Sequence, residues 1–195
     1  MIRSLVVRFA TVLAVTACLL QSPGAEAGRV FGVDFAEMRV AGAHSLPLRG
    51  LATLRLMRWV EVSVAALYMK EEVASAEVLS DVPRRLEIEY LRGFRAIDFA
   101  RSTRWFVERN VGKDRYGALE PNIERWNSFY RDVEPGDRYT LTYSPGLGTE
   151  LALNGVVLGS LPGAELSSAI FSIWLGERPL DAGFKSELLA LPPEA

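Results

Sequence analysis

Hydrophobic and polar positions alternate with a period of two in several segments, a pattern typical of strands that pack one face. The clearest case lies within residues 51–69, where the even positions from 60 to 68 are almost all apolar and the odd positions are mixed. The pattern there predicts a strand with a short turn near Met57 and Arg58. Alternation elsewhere predicts strands over residues 31–40, 85–91 and 138–143, whereas residues 44–50 are expected to form a loop.

A second pattern, with apolar residues spaced near 3.6, predicts helices. One helix is expected over residues 96–111 and another over 164–175, each followed by a glycine in the position typical of a helix C-terminus. Less regular segments predict further helices over residues 75–81, 119–133 and 180–189.

The order of these elements indicates the fold class. Apolar residues flank Asn154-Gly155, a pair that favours the type I′ turn of a β-hairpin. Strands and helices occur in separate blocks rather than in βαβ alternation. The sequence therefore predicts an α+β fold, in which helices cover one face of an antiparallel sheet.

The N-terminal residues form a different kind of segment. Arg3 and Arg8 begin it, and the uncharged apolar run that follows over residues 9–20 is shorter than the roughly 20 residues needed to span a bilayer. Small residues at positions 25 and 27 then complete the pattern of a secretory signal peptide. We therefore expect cleavage of residues 1–27, a single domain over residues 28–195, and a periplasmic or secreted location.

Two alternatives remain for this segment. Residues 15–18 resemble the lipoprotein box of bacterial proteins, with Cys18 as the lipidated residue. The segment also has the composition of a buried N-terminal helix or a membrane anchor.

Composition excludes several function classes. Cys18 is the only cysteine, so residues 28–195 contain neither disulfides nor thiolate metal ligands. His44 is the only histidine and lies in a small-residue segment, so neither a His-rich zinc site nor a Ser-His-Asp triad is expected. The net charge of −2 and the lack of a basic stripe argue against nucleic-acid binding. We expect no metal and no cofactor.

Four polar residues occur in apolar surroundings, where an unpaired polar group is costly. Thr103 and Asn110 lie two turns apart on one packed helix face, and Arg55 shares the strand parity of Ser63 if no bulge intervenes. Together they would line a polar-bottomed cleft in which the arginine suits a carboxylate or an enolate. Alternatively, Arg55 pairs with Glu61, and the other three bond backbone groups or one another.

Three longer motifs carry a family resemblance. They are LATLRLMRWVEVSVAALYM at residues 51–69, the pair Gly136-Asp137 followed by TLTYSPGLGTELALNG, and SSAIFSIWLGERPLDAGFKSELL at residues 167–189. In this combination and order, over about residues 29–191, the chain resembles the chalcone isomerase-like proteins, and in particular their secreted bacterial branch.

The resemblance implies an open-faced β-sandwich, a large antiparallel sheet packed by a layer of helices with a cleft between them. In the plant enzymes that cleft holds a chalcone and promotes its intramolecular addition to a flavanone. Related members without this activity bind fatty acids in the cleft, with an arginine contacting the carboxylate.

The resemblance also implies a set of ligand-binding residues. Arg55 and Asn110 match the family arginine and asparagine, and Ser63 falls where the plant enzymes carry a threonine. Thr103 falls where they carry a tyrosine, and Ile173 falls where a polar residue contacts substrate. Two polar cleft positions are therefore altered, which favours binding over flavonoid cyclisation.

Three hypotheses about function follow. The first is a non-catalytic envelope protein that binds a fatty acid or a similar amphiphile, with Arg55 at the head group. The second is an isomerase or lyase acting on an enone-like substrate, in which Arg55 stabilises a developing oxyanion and Ser63 and Asn110 donate hydrogen bonds. The third is an accessory protein of a redox chain or a stress response, without a small ligand.

Overall fold

A computed structural model describes residues 26–57 and 59–190, with side chains from Gly28 onward. Cys18 and nearly all of the predicted signal peptide lie outside the described residues. Within the described part of the chain, no helix is both long and apolar enough to cross a membrane.

Seven antiparallel strands form the main sheet, in the order in which they follow one another along the chain. A separate two-stranded hairpin precedes them. The hairpin consists of β1 (Glu26–Val30) and β2 (Val33–Ala36), and the sheet of β3 (Met38–Ala41), β4 (His44–Leu56), β5 (Val60–Tyr68), β6 (Arg84–Tyr90), β7 (Arg138–Ser144), β8 (Gly148–Leu153) and β9 (Val156–Leu161).

Helices cover one face of this sheet, which we call the inner face. Alternate residues of the strands, such as Ala65, Leu67 and Ile88, point to this face and form one apolar core with the helices. The helices are α1 (Ala96–Val111), α2 (Lys113–Asn127), α3 (Ala164–Leu175) and α4 (Ala182–Leu189). The predicted α+β fold, with an antiparallel sheet packed by a layer of helices, is confirmed.

The opposite, outer face of the sheet is also buried. Val64 and Ala66 of β5 pack there against Val33 and Phe35 of the β1–β2 hairpin in a second, smaller core. The period-two pattern of β5 therefore reflects two packed faces, because the hairpin covers the side that alternation alone would leave to solvent.

Helix α4 lies along the open edge of β4. Strand β3 pairs only with residues 44–47 of β4, so the edge beyond them has no strand neighbour. Glu187 of α4 accepts a hydrogen bond of 2.9 Å from the backbone N–H of Thr53 on this edge. A Cβ atom at Gly50 would lie 2.5 Å from the carbonyl oxygen of Leu188, so glycine is what permits the close approach. This covering protects the edge from pairing with another chain.

Two of the N-terminal predictions are wrong. Residues 31–40 do not form one strand. Phe31 and Gly32 adopt φ angles of +50° and +79° and turn the chain between β1 and β2, and a bend at Glu37 separates β2 from β3, which belong to different sheets. Residues 44–50 are not a loop but the first part of β4. Pro47 is tolerated there because it lies past the end of the β4–β5 pairing at Leu48 and Tyr68, so its missing N–H leaves that ladder intact.

Two helix predictions also change. Only one turn of 3₁₀ helix, Ser75–Glu77, forms within residues 75–81. Helix α2 begins at Lys113 rather than near residue 119, because Gly112, with a φ of +84°, redirects the chain straight into a second helix. Pro121 therefore lies inside the helix rather than in its first turn. The predicted helices over 96–111 and 164–175 and the Asn154-Gly155 turn are confirmed.

One buried carboxylate joins several strands on the outer face. Glu87 of β6 is 1% exposed and accepts hydrogen bonds from Arg39 at 2.6 Å, Arg85 at 2.9 Å and Arg138 at 3.2 Å. Burial alone would raise the pKa of Glu87, but the hydrogen bonds and the positive charge of Arg39 and Arg85 outweigh it and hold the pKa below its usual value. The carboxylate is therefore charged at neutral pH and ties β3, β6 and β7 together.

We expect Glu87→Gln to lower the free energy of unfolding at pH 7 by about 3 kcal/mol, because the substitution removes the buried anion that Arg39 and Arg85, both partly buried, share. The folded-state pKa is depressed, so the stabilisation is present above the unfolded-state value of about 4.3 and disappears as pH falls through the folded-state pKa. Urea denaturation from pH 7 to pH 3 measures both effects. Glu150→Gln on β8, where no ion pair forms with a described residue, is the matched control. Equal losses in the two variants would contradict the role given to Glu87.

Candidate functional site

A cavity of about 270 Å³ lies between the inner face of the sheet and helix α1. The ends of β4, β5 and β6 form one wall, and α1 and α3 form the other. Most of the lining is apolar, and it comprises Leu54, Leu56, Val62, Ile88, Phe94, Phe99, Phe106, Ile173, Trp174 and Leu180. The polar lining residues are Ser63, Tyr90, Asp98, Ser102, Thr103 and Tyr130.

Three of the five sequence-predicted residues meet in this cavity. Ser63 pairs across the sheet with Leu54 and Tyr90, and this register places all three side chains on the inner face. Thr103 projects from the inward side of α1, and Ile173 lies on α3, where it is 4% exposed. The structure thus brings together residues that are 40 to 110 positions apart in the sequence.

One buried polar group of the cavity is the phenol of Tyr130, which the sequence patterns did not single out as a site residue. The Tyr130 hydroxyl lies 3.0 Å from Thr103 Oγ1 and accepts a hydrogen bond of 3.0 Å from Trp126 Nε1. Burial raises the pKa of Tyr130, although these hydrogen bonds act in the opposite direction. Tyr130 is therefore a neutral hydrogen-bonding group at pH 7.

The Tyr130 phenol lies beside Thr103, one of the cleft positions that the family resemblance implies is altered. The resemblance implies a tyrosine in the plant enzymes at the position of Thr103, and in this structure the Tyr130 phenol lies within hydrogen-bond distance of Thr103 from a different element. A sequence signal for Tyr130 existed in the four-residue spacing from Trp126. That spacing gave no indication of the contact with α1, which is 27 residues away.

Aromatic rings build the wall around the phenol. Tyr90 packs edge-to-face against Phe94, Phe99 and Tyr139, with ring centroids 5.3 to 5.9 Å apart. Burial raises the pKa of the Tyr90 hydroxyl well above its ordinary value, so this group is also neutral. Such interlocked rings make a stiff wall, which favours a preformed cavity.

Arg55 does not line the cavity. The register of β4 and β5 shifts between Leu54, which pairs with Ser63, and Arg55, which pairs with Glu61. The shared strand parity of Arg55 and Ser63 was predicted on the condition that no bulge intervenes, and this register shift means that the condition is not met. The guanidinium lies 3.7 Å from Glu61 and 5.7 Å above the Phe31 ring, so the alternative pairing of Arg55 with Glu61 is the one the structure contains. A ligand contact by Arg55 stays a prediction.

Asn110 also lies outside the cavity lining, but it holds a segment that contributes to it. Its amide nitrogen donates to the carbonyl oxygens of Phe106 and Arg178, and its amide oxygen accepts from the Arg178 backbone N–H at 2.9 Å. A Cβ atom at Gly176 would come within 2.3 Å of this oxygen. Asn110 thus anchors the chain after α3, which leads to the lining residue Leu180.

Charge is confined to the rim. Asp98 is the only charged residue among the described lining residues, and its carboxylate is partly exposed. It forms ion pairs with Arg95 at 3.5 Å and with Arg101 at 4.0 Å. The interior of the cavity is therefore neutral, apolar and lined at its base by hydroxyl groups.

No cluster of three or more His, Cys, Asp or Glu side chains suited to a metal occurs within the described residues. The lining residues offer hydroxyl and phenol groups for hydrogen bonds. The volume of the cavity is slightly below the usual range of about 300–1,000 Å³ for ligand pockets.

Comparison with known proteins shows which family has this sequence pattern and this architecture. A sequence profile described as chalcone isomerase-like matches residues 27–190. No curated protein sequence matches the chain. Among solved structures, a fatty-acid binding protein from Arabidopsis thaliana has a similar fold, with a TM-score of 0.60 at 16% identity, covering 81% of this chain and 92% of that protein. The profile match spans most of the sequence and agrees with the motifs noted above, so the chain belongs to the chalcone isomerase-like family.

Proposed function

We propose that this protein is a non-catalytic binder of an elongated apolar molecule, a fatty acid or a similar amphiphile, which it holds in the cavity between the sheet and α1. One observation carries the proposal: the cavity has a continuous apolar lining and a small base of neutral hydroxyl groups. Apolar surface that leaves water on entering such a site supplies the binding free energy. The similar fold of a plant fatty-acid binding protein supports the same ligand class.

The neutral interior restricts where the polar end of a ligand lies. A charged group buried among Ser63, Thr103 and Tyr130 would lack a counterion, which is costly in an apolar site. A carboxylate is therefore expected to stay at the rim, where Arg95 and Arg101 flank Asp98. An uncharged hydroxyl or carbonyl group would instead reach the hydroxyls at the base.

We further propose that the protein acts outside the cytoplasm, after removal of residues 1–27. This location rests on the sequence pattern of the N-terminal segment alone. A ligand of low water solubility fits an envelope setting, because such molecules need a carrier between membranes.

The cavity itself is tested by filling it. We expect Ser63→Phe to weaken binding of a C16 fatty acid about tenfold or more, because the added ring occupies the volume that the ligand needs. Calorimetric titration gives the affinity, and mass spectrometry of lipids extracted from natively purified protein reports the bound ligand. Ser160→Phe on β9, where the residue is exposed, controls for the substitution itself. Absence of any co-purified amphiphile, together with no thermal stabilisation of the wild type by fatty acids, would refute the proposal.

The head-group position is tested with two ligands of equal chain length, a C16 fatty acid and the C16 alcohol. We expect Arg55→Ala to change either affinity by less than about threefold, because its guanidinium pairs with Glu61 and does not line the cavity. A much larger loss for the acid than for the alcohol would instead place Arg55 at the head group, as the family resemblance implies.

The enzymatic alternative makes a separate prediction. Of the three groups it required, only Ser63 lines the cavity, and the Tyr130 phenol is one of the further hydroxyl groups there. We expect the wild type not to accelerate cyclisation of a hydroxylated chalcone above the uncatalysed rate at pH 7, as followed by loss of chalcone absorbance. An accelerated rate that falls in Tyr130→Phe, which keeps the ring and removes the hydroxyl, would show catalysis in this cavity.

A further inference from the structure

Two hairpin turns expose large apolar side chains beside one another. Phe31, in the turn between β1 and β2, is 55% exposed, and in the turn between β4 and β5 Leu56, Met57 and Trp59 are 56%, 87% and 80% exposed. Below we call these four residues the apolar tips. The Arg55 guanidinium joins the two turns, since it lies over the Phe31 ring and pairs with Glu61 at the start of β5.

The backbone conformation at two of the tips does not favour their residue types. Phe31 and Met57 both have a φ of +50°, in the left-handed region that glycine and asparagine adopt readily and bulky residues rarely do. Both turns would be less strained with a small residue at that position. A large apolar side chain kept in a strained, exposed position is typical of a contact made outside the chain.

The apolar tips are continuous with the cavity. Leu56 is both an exposed tip residue and a lining residue, and its neighbours Leu54 and Val62 also line the cavity. Molecules that enter or leave past this wall therefore pass the tips. This inference rests on the proposed function to the extent that the cavity holds an amphiphile.

The charges near the tips favour an anionic surface. Three carboxylates lie near the tips, Asp34, Glu61 and Asp98, and each is already paired with arginine. Arg92 is exposed and follows Leu91, whose N–H donates to Val62 of β5. Arginines therefore outnumber carboxylates around the tips, although the whole chain carries a net charge of −2.

From these features we propose that the apolar tips insert into the surface of a lipid bilayer that contains anionic phospholipid, and that the cavity exchanges its ligand there. Tryptophan and other large apolar side chains flanked by arginine are the residues that favour the interface between the head groups and the acyl chains. Basic side chains near the surface add attraction to anionic lipids.

The experiment uses the full-length chain with vesicles of phosphatidylcholine and phosphatidylglycerol. Every variant carries the same N-terminus, so residues 1–27 contribute equally to each. We expect Met57→Asp combined with Trp59→Asp to weaken vesicle binding about tenfold or more. The matched control, Val156→Asp with Val157→Asp, replaces two exposed apolar residues at the start of β9, four strands along the sheet from β5, and adds the same charge. It is expected to bind vesicles within about twofold of the wild type.

A second readout reports on the tip itself. Lipids brominated along the acyl chain are expected to quench the emission of the wild type more than that of Trp59→Phe, because Trp59 enters the acyl region while Trp126 remains buried in the protein. No quenching attributable to Trp59, or equal vesicle binding by the tip and control variants, would overturn the proposal. Sedimentation without lipid tests whether the tips instead contact a second copy of the chain. A concentration-dependent dimer that the tip variant abolishes would show such a contact and overturn the proposal.

The outcomes also separate this proposal from the proposed function. Fatty-acid affinity measured without vesicles is expected to be unchanged in the tip variant. If the protein binds vesicles but no fatty acid, the membrane-docking proposal stands and the proposed function fails. If it binds fatty acid but no vesicles, the proposed function stands and the membrane-docking proposal fails.

Discussion

The structure depends on one buried carboxylate and the three arginines that neutralise it. Glu87 lies in the middle of the outer face, and its partners come from β3, from β6 itself and from β7. The Arg138 guanidinium also lies 4.7 Å over the Phe35 ring of β2, so the same cluster holds the separate hairpin in place. A charge removed from water is tolerated only with such close partners, and the partners are then fixed in position relative to one another. The outer layer is thereby held against the sheet.

The inner face, by contrast, is packed incompletely. Helices α1 and α3 rest on the sheet around a rigid aromatic cluster but leave a gap above Ser63, and the Thr103–Tyr130–Trp126 hydrogen bonds keep the polar groups at its base satisfied. Protein interiors are otherwise close-packed, so a cavity of this size is a feature of the architecture rather than a packing defect. A stiff outer layer and an open inner one are together the arrangement on which the proposed binding of an apolar ligand rests.

Local patterns in the sequence were sufficient for the elements whose surroundings are regular. The bounds of α1 and α3 follow from their 3.6-residue spacing and the glycines after them, and the β8–β9 hairpin follows from Asn154-Gly155. Predictions failed where a neighbouring element altered the conformation that the local sequence pattern favours. Pro47 is accommodated inside β4 because the pairing with β5 has ended there, and Gly112 both ends α1 and immediately precedes α2.

The candidate site divides in the same way. Residue types alone excluded thiolate and histidine chemistry in residues 28–195, and the motifs alone indicated the family and placed Ser63, Thr103 and Ile173 in the cleft. Tertiary structure decided that Arg55 turns away to Glu61, that Asn110 anchors the chain beyond α3, and that the phenol of the cavity is Tyr130. The physical reason is that periodicity records which face a residue occupies relative to its near neighbours. A register shift at a turn, or a contact between residues 27 positions apart, depends on how whole elements pack and has no local signature.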